Sequence, residues 1–144
     1  MGHLRNGFVV CTLALTIGCH VPNCRAADAA PAALTNKLKS LAGSNSDDCG
    51  TVALHDDPGV AVACAQRADA AGKTYRIAVE FKGPDSIAWQ GAVRDQQGKL
   101  WAVYYESDVS DSPGATLSVV HCRQILFASS GDDIIDCKPI IGEP

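Results

Sequence analysis

The stretch DPGVAVACAQRADAAGKTYRIAVEFK, running from Asp57 to Lys82, decides the fold. Asp56 or Asp57 can accept hydrogen bonds from free backbone N–H groups and meet the positive end of a helix dipole. Pro58 suits a first helical turn, where its missing N–H has no partner to lose. Val60, Cys64, Ala68 and Ala71 then recur on one face, Ala61 and Ala65 widen it, and Gly72 is a stop. This predicts the main helix of the chain, with a face of small side chains that can lie close against a sheet. From Thr74 the period changes from helical to alternating. Tyr75, Ile77, Val79 and Phe81 point one way; Arg76, Ala78, Glu80 and Lys82 point the other. A strand with one wet face is the antiparallel habit.

Downstream, the pattern continues as a meander. Gly83-Pro84-Asp85 reads as a turn, and flanking it with Lys82 and Ser86 sets Phe81 opposite Ile87, Val79 opposite Trp89 and Tyr75 opposite Val93. A three-residue loop at Gln96-Gln97-Gly98 sets Asp95 opposite Lys99, Val93 opposite Trp101, Gly91 opposite Val103 and Trp89 opposite Tyr105. A one-residue slip would turn every side chain to the other face, so this agreement selects a register. Ser107 to Ala115 reads as a polar loop, Thr116 to Phe127 as a fourth strand, and Ile134 to Lys138 as a short fifth.

Upstream, Leu34, Leu38 and Leu41 stand at helical spacing before Gly43, which predicts a short amphipathic helix inside a linker at 27–48. Ser44 to Asp48 is polar. The single α+β domain is expected over 49–144. Before the linker, Arg5 precedes an uncharged apolar run from Phe8 to Gly18, the length of a signal-peptide core and too short to span a bilayer. No later stretch is long enough either. Residues 1–26 are therefore expected to be a signal peptide, with cleavage between 18 and 29. Leu15-Thr16-Ile17-Gly18-Cys19 resembles a lipobox that would lipidate Cys19 and anchor the protein to a membrane. Ordinary cleavage near Ala26, Ala27 or Ala29 would release it into the periplasm or beyond.

The cysteines favour ordinary cleavage. The seven are Cys11, Cys19, Cys24, Cys49, Cys64, Cys122 and Cys137, and cutting after Cys24 leaves an even four. A hairpin centred between Ser129 and Ser130 sets Cys122 across from Cys137, within disulfide reach. That leaves Cys49 to pair with Cys64. Each bond closes a loop of about fifteen residues and contributes about 3 kcal/mol in the chain-entropy model.

The expected architecture is thus one main helix on a four- to five-stranded antiparallel meander, disulfide-stapled, cystatin-like in outline though without a cystatin motif.

From Ala30 onward there are ten Lys and Arg against fifteen Asp and Glu, a net charge of −5. This argues against nucleic acid and anionic lipid as partners and favours a cationic one. Catalytic and cofactor signatures are absent: no G-x-G-x-x-G, P-loop, G-x-S-x-G, H-E-x-x-H or C-x-x-C. The enzymatic alternative is a small hydrolase using His55, beside Asp56-Asp57, or His121. For metal, the candidates are Asp85, Asp108 and Asp111, loop carboxylates expected at one end of the domain; Pro113 stands where an EF-hand loop needs glycine.

Cys64, Gly72-Lys73-Thr74-Tyr75-Arg76, Pro84-Asp85-Ser86, Gly98-Lys99-Leu100, Tyr105-Glu106-Ser107-Asp108, Cys122 and Cys137 together give a resemblance to a group of uncharacterised small exported bacterial proteins. The resemblance spans about the last eighty residues and implies bacterial export. It carries no function over. A non-enzymatic binding, inhibitor or envelope-associated module is the leading expectation, with a lipoprotein subunit of an envelope complex as a further alternative.

Overall fold

The computed structural model describes residues 30–83, 86–108, 114–130 and 133–142. The expected signal peptide, Cys19 and the lipidation question lie outside them. Two helices and six strands follow in the order α1 (Ala32–Ala42), β1 (Asp47–Val52), α2 (Gly59–Ala70), β2 (Tyr75–Lys82), β3 (Ser86–Arg94), β4 (Leu100–Asp108), β5 (Thr116–Phe127) and β6 (Ile135–Pro139). The strands form one sheet in sequence order. β1 runs parallel to β2, and every other pair is antiparallel. The expected all-antiparallel meander is therefore a mixed six-stranded sheet. The parallel pair exists because α2 carries the chain from the end of β1 back to the start of β2.

The termini of α2 follow the local chemistry. Asp57 Oδ1 accepts from the Gly59 N–H at 2.8 Å. At the other end Gly72 turns left-handed (φ 65°). Its N–H donates to the Asp69 carbonyl while that of Lys73 reaches back to Ala68, each at 2.9 Å, which closes the helix in a Schellman motif. The buried face is rotated from the expected one. Ala61, Val62, Ala65 and Ala68 are buried, whereas Val60 is 82 % exposed. Cys64, tied to Cys49 of β1, sits at the margin of that face.

α1 is not a decoration on a linker. Leu34, Leu38 and Ala42 are buried against Ala78, Trp89, Val93 and Val103. This is the face of the sheet opposite α2, which covers Tyr75, Ile77, Val79, Ala92 and Ala102. A sheet with a helix on each face departs from the one-sided layout expected from the sequence.

That second layer explains why the β2–β3 register differs from expectation. Lys82 pairs with Ile87, Phe81 with Ala88, Val79 with Gln90 and Tyr75 with Arg94. The slip is one residue, so Trp89 and Val93 face α1 while Tyr75, Ile77 and Val79 face α2. Large and small residues are complementary in each layer. The bulky side chains of β2 meet an alanine-rich helix and flank Ala88 and Ala92. The bulky side chains of β3 meet α1. Gly91 lies where α1 comes closest, since a Cβ there would stand 2.5 Å from Leu38 Cδ2.

The β3–β4 register is the predicted one, with Val93 on Trp101, Gly91 on Val103 and Trp89 on Tyr105. Local chemistry holds it. Asp95 Oδ1 accepts from the N–H groups of Gln97 and Lys99 at 2.8 and 2.9 Å, Asp95 Oδ2 accepts from Trp101 Nε1 at 2.9 Å, and Gly98 supplies the left-handed residue (φ 80°). Partial burial of the Asp95 carboxyl opposes its ionisation. Those hydrogen bonds and the charge of Lys99 outweigh that and hold its pKa below the ordinary value.

β5 carries an irregularity between Cys122 and Gln124. Beyond it the β5–β6 hairpin lies over the α2 face. Ile125 and Ile135 join the α2 cluster, and the Phe127 ring meets Tyr75 edge-on at 6.1 Å. The hairpin register is Ile125 with Cys137, three positions from the expected one, and Cys122 with Pro139, two positions from it. Cys122 and Cys137 are bonded nonetheless, because the irregularity brings these diagonal neighbours to a Cα separation of 5.5 Å.

Candidate ligand cleft

Folding the hairpin over the sheet leaves a space between them. The resulting cleft, about 580 Å³, is floored by Phe81 of β2, Gln90 of β3 and Tyr104 of β4. Gln90 is the direct cross-strand partner of Tyr104, and Phe81 stands one diagonal away, so all three project from the same face. Leu126, Phe127, Ile135 and Cys137 of the hairpin form the opposing wall. Among the described residues, Asp133 and Asp136 contribute the only carboxylates of the lining. Asp136 lies 2.6 Å from Lys138 Nζ, in a pair whose side chains are both close to half exposed. Asp133 is exposed and makes no ion pair with another described residue. The Gln90 amide and Tyr104 hydroxyl likewise make no hydrogen bond to another described residue.

The size and the mixture of aromatic walls with a few polar groups are those of a small-molecule site. The aromatic faces offer stacking or cation–π contact, and the amide and phenol offer directional hydrogen bonds. Beside the cleft, across Phe81, a smaller cavity of about 320 Å³ lies between the β1–α2 loop and the hairpin turn, lined in part by His55, Glu80, Lys82 and Ile134. Glu80 Oε2 there accepts from the Leu54 N–H at 2.9 Å, which fixes the loop.

The candidates singled out from the sequence are dispersed. His55 is exposed in the β1–α2 loop, with a left-handed backbone (φ 77°). Among the described residues no hydrogen bond joins it to Asp56 or Asp57. His121 is on β5 at the far end of the domain, on the α1 face, stacked on Trp101 with ring centroids 4.6 Å apart. The two histidines therefore belong to no common site. Asp85 and Asp111 lie outside the described residues, and of Asp108 only its backbone pairing with Ser86 is described. Among the described residues no three His, Cys, Asp or Glu side chains are grouped to hold a metal, and no helix is long and apolar enough to cross a membrane.

The aromatics weighed as cleft-lining from the sequence, Tyr75, Trp89, Trp101 and Tyr105, are not the ones that line it. Tyr75 and Trp89 are fully buried on opposite faces. The true lining residues carry no sequence signal of their own. Phe81 is assigned the correct face by alternation, but Gln90, Tyr104 and Phe127 join it only through the β2–β3 slip and the hairpin fold-over.

Compared with protein-family models, with curated proteins and with solved structures, the chain matches none of them.

Proposed function

We propose that this is a non-enzymatic exported bacterial binding module, holding a small organic ligand in the cleft between the sheet and the β5–β6 hairpin. The observation that carries the reading is the cleft itself: Phe81, Tyr104 and Phe127 present aromatic surface around the hydrogen-bonding groups of Gln90 and Tyr104. Two disulfides in a small domain support export, because such bonds persist in oxidising compartments. The apolar run before residue 19 and the resemblance to small exported proteins point the same way. The dispersal of His55 and His121 leaves the hydrolase reading without a geometric centre.

The test is a fragment screen of the oxidised protein by backbone amide chemical shifts. Binders are expected to perturb Phe81, Gln90, Tyr104 and Phe127 together, to be recovered chemically unchanged, and to weaken about tenfold on Tyr104→Ala. Perturbations scattered over the surface, or turnover that is lost in His55→Ala or His121→Ala, would defeat the reading.

A further inference from the structure

We infer that the cleft selects an organic cation with an apolar body, an aryl- or alkylammonium, over neutral molecules of the same shape. The inference rests on the ligand-binding reading above and adds the charge of the ligand. Among the described residues, both charged side chains of the lining are carboxylates, Asp133 and Asp136. Lys138 meets Asp136 from outside the lining and does not enter it. Asp133 has no such neighbour among the described residues. An anionic ligand would meet Asp133 without a compensating cation among the described residues, and a neutral one would leave its charge unpaired. A cation gains twice. Its charge faces Asp133, and its apolar body lies against the rings of Phe81, Tyr104 and Phe127, whose faces are themselves attractive to positive charge. The Gln90 side-chain carbonyl and the Tyr104 hydroxyl oxygen can accept hydrogen bonds from the ammonium.

The size of the space sets the class. At about 580 Å³ it falls within the usual range for small-molecule sites and far exceeds what a bare metal ion needs. Its open side and aromatic walls suit a single ring or a short alkyl chain bearing one amine. The net charge of −5 from Ala30 onward favours approach of such a ligand from solution.

The experiment compares two probes that differ in charge and little else, 2-phenylethylamine and 2-phenylethanol, titrated at pH 7 into the oxidised protein and followed by amide chemical shifts. The amine is expected to bind at least about tenfold tighter and to perturb Phe81, Gln90, Tyr104 and Phe127. Added salt should narrow that ratio. Asp133→Asn is expected to remove most of the preference by weakening the amine far more than the alcohol; Asp133 is exposed, so the variant should fold. Equal binding of the two probes in the cleft overturns the cation selectivity, a preference that survives Asp133→Asn with Asp136→Asn overturns its assignment to these carboxylates, and either outcome leaves the binding reading standing. If neither probe perturbs the cleft at millimolar concentration, both the inference and that reading fall.

Discussion

The two faces of the sheet are built on opposite plans. On the α1 face the helix brings bulk: Leu34 and Leu38 fill the space over Trp89, Val93 and Val103, and Gly91 gives way to admit them. No disulfide between described residues touches this layer. On the α2 face the helix brings alanines, the sheet supplies Tyr75 and Ile77, and the hairpin must come across to complete the cover. Both disulfides lie here, one tying α2 to β1 and the other tying the two strands of the hairpin. The cleft lies here too. Covalent bonds thus accumulate on the face that keeps an open cleft. Walls with open space between them forgo contacts there, and cross-links that restrict the unfolded chain compensate without filling that space.

Truncation tests the bulk-packed face most directly. Trp89→Ala is expected to destabilise the protein by about 3–5 kcal/mol, the usual range for an aromatic lost from a core, because Trp89 is 2 % exposed and its neighbours on α1 cannot follow it inward. Urea unfolding of the oxidised protein measures it. A loss below about 1 kcal/mol would mean that α1 is not the seal the packing implies.

On the other face the disulfide is the lever. Replacing Cys122 and Cys137 together by Ala is expected to lower stability by about 3 kcal/mol. It should also loosen the hairpin, so amide exchange should rise at Ile125, Phe127 and Ile135 well above that at Trp89 and Val103. Uniform change across both faces would show that the bond acts on the unfolded chain alone.

The smallest expected effect has the less usual sign. The Tyr75 hydroxyl is buried with no hydrogen-bond partner among the described residues, and that burial pushes its pKa upward. Tyr75→Phe keeps the ring against Phe127 and removes the unsatisfied group. It is therefore expected to raise stability by up to about 1 kcal/mol, readable as a rise in Tm. A clear loss would mean that the hydroxyl has a partner, such as an internal water shared with the nearby Arg94 Nε, which is also unsatisfied.

How far the sequence led depended on whether the deciding interaction was local. The Asp95–Lys99 turn encodes its own register, since the carboxylate that holds it and the glycine that permits it are three residues apart. The ends of both helices were legible at Gly43 and Gly72 for the same reason. β1 was not: in Asp47-Asp48-Cys49-Gly50-Thr51-Val52 only Cys49 and Val52 are buried, and an irregularity at Cys49-Gly50 breaks the alternation. The β2–β3 slip was hidden by the assumption of one wet face, which pairs apolar with apolar and puts Trp89 beside Val79. Two covered faces reward the opposite choice. The cleft was invisible because it depends on both that slip and the fold-over at Cys122, neither of which is written within any single element.

The connectivity of the two cross-links has a further consequence. Among the four cysteines from Cys49 onward, each is bonded to its nearest neighbour in the chain, and the two loops neither overlap nor nest. Of the three possible pairings this is the one reached by joining cysteines in the order in which they leave a narrow exit, amino end first. Cys49 and Cys64 can be joined before Cys122 has appeared, and no earlier bond need be broken to make the second. A chain threaded through a pore and oxidised as it emerges would reach the native set without an isomerase to reshuffle it.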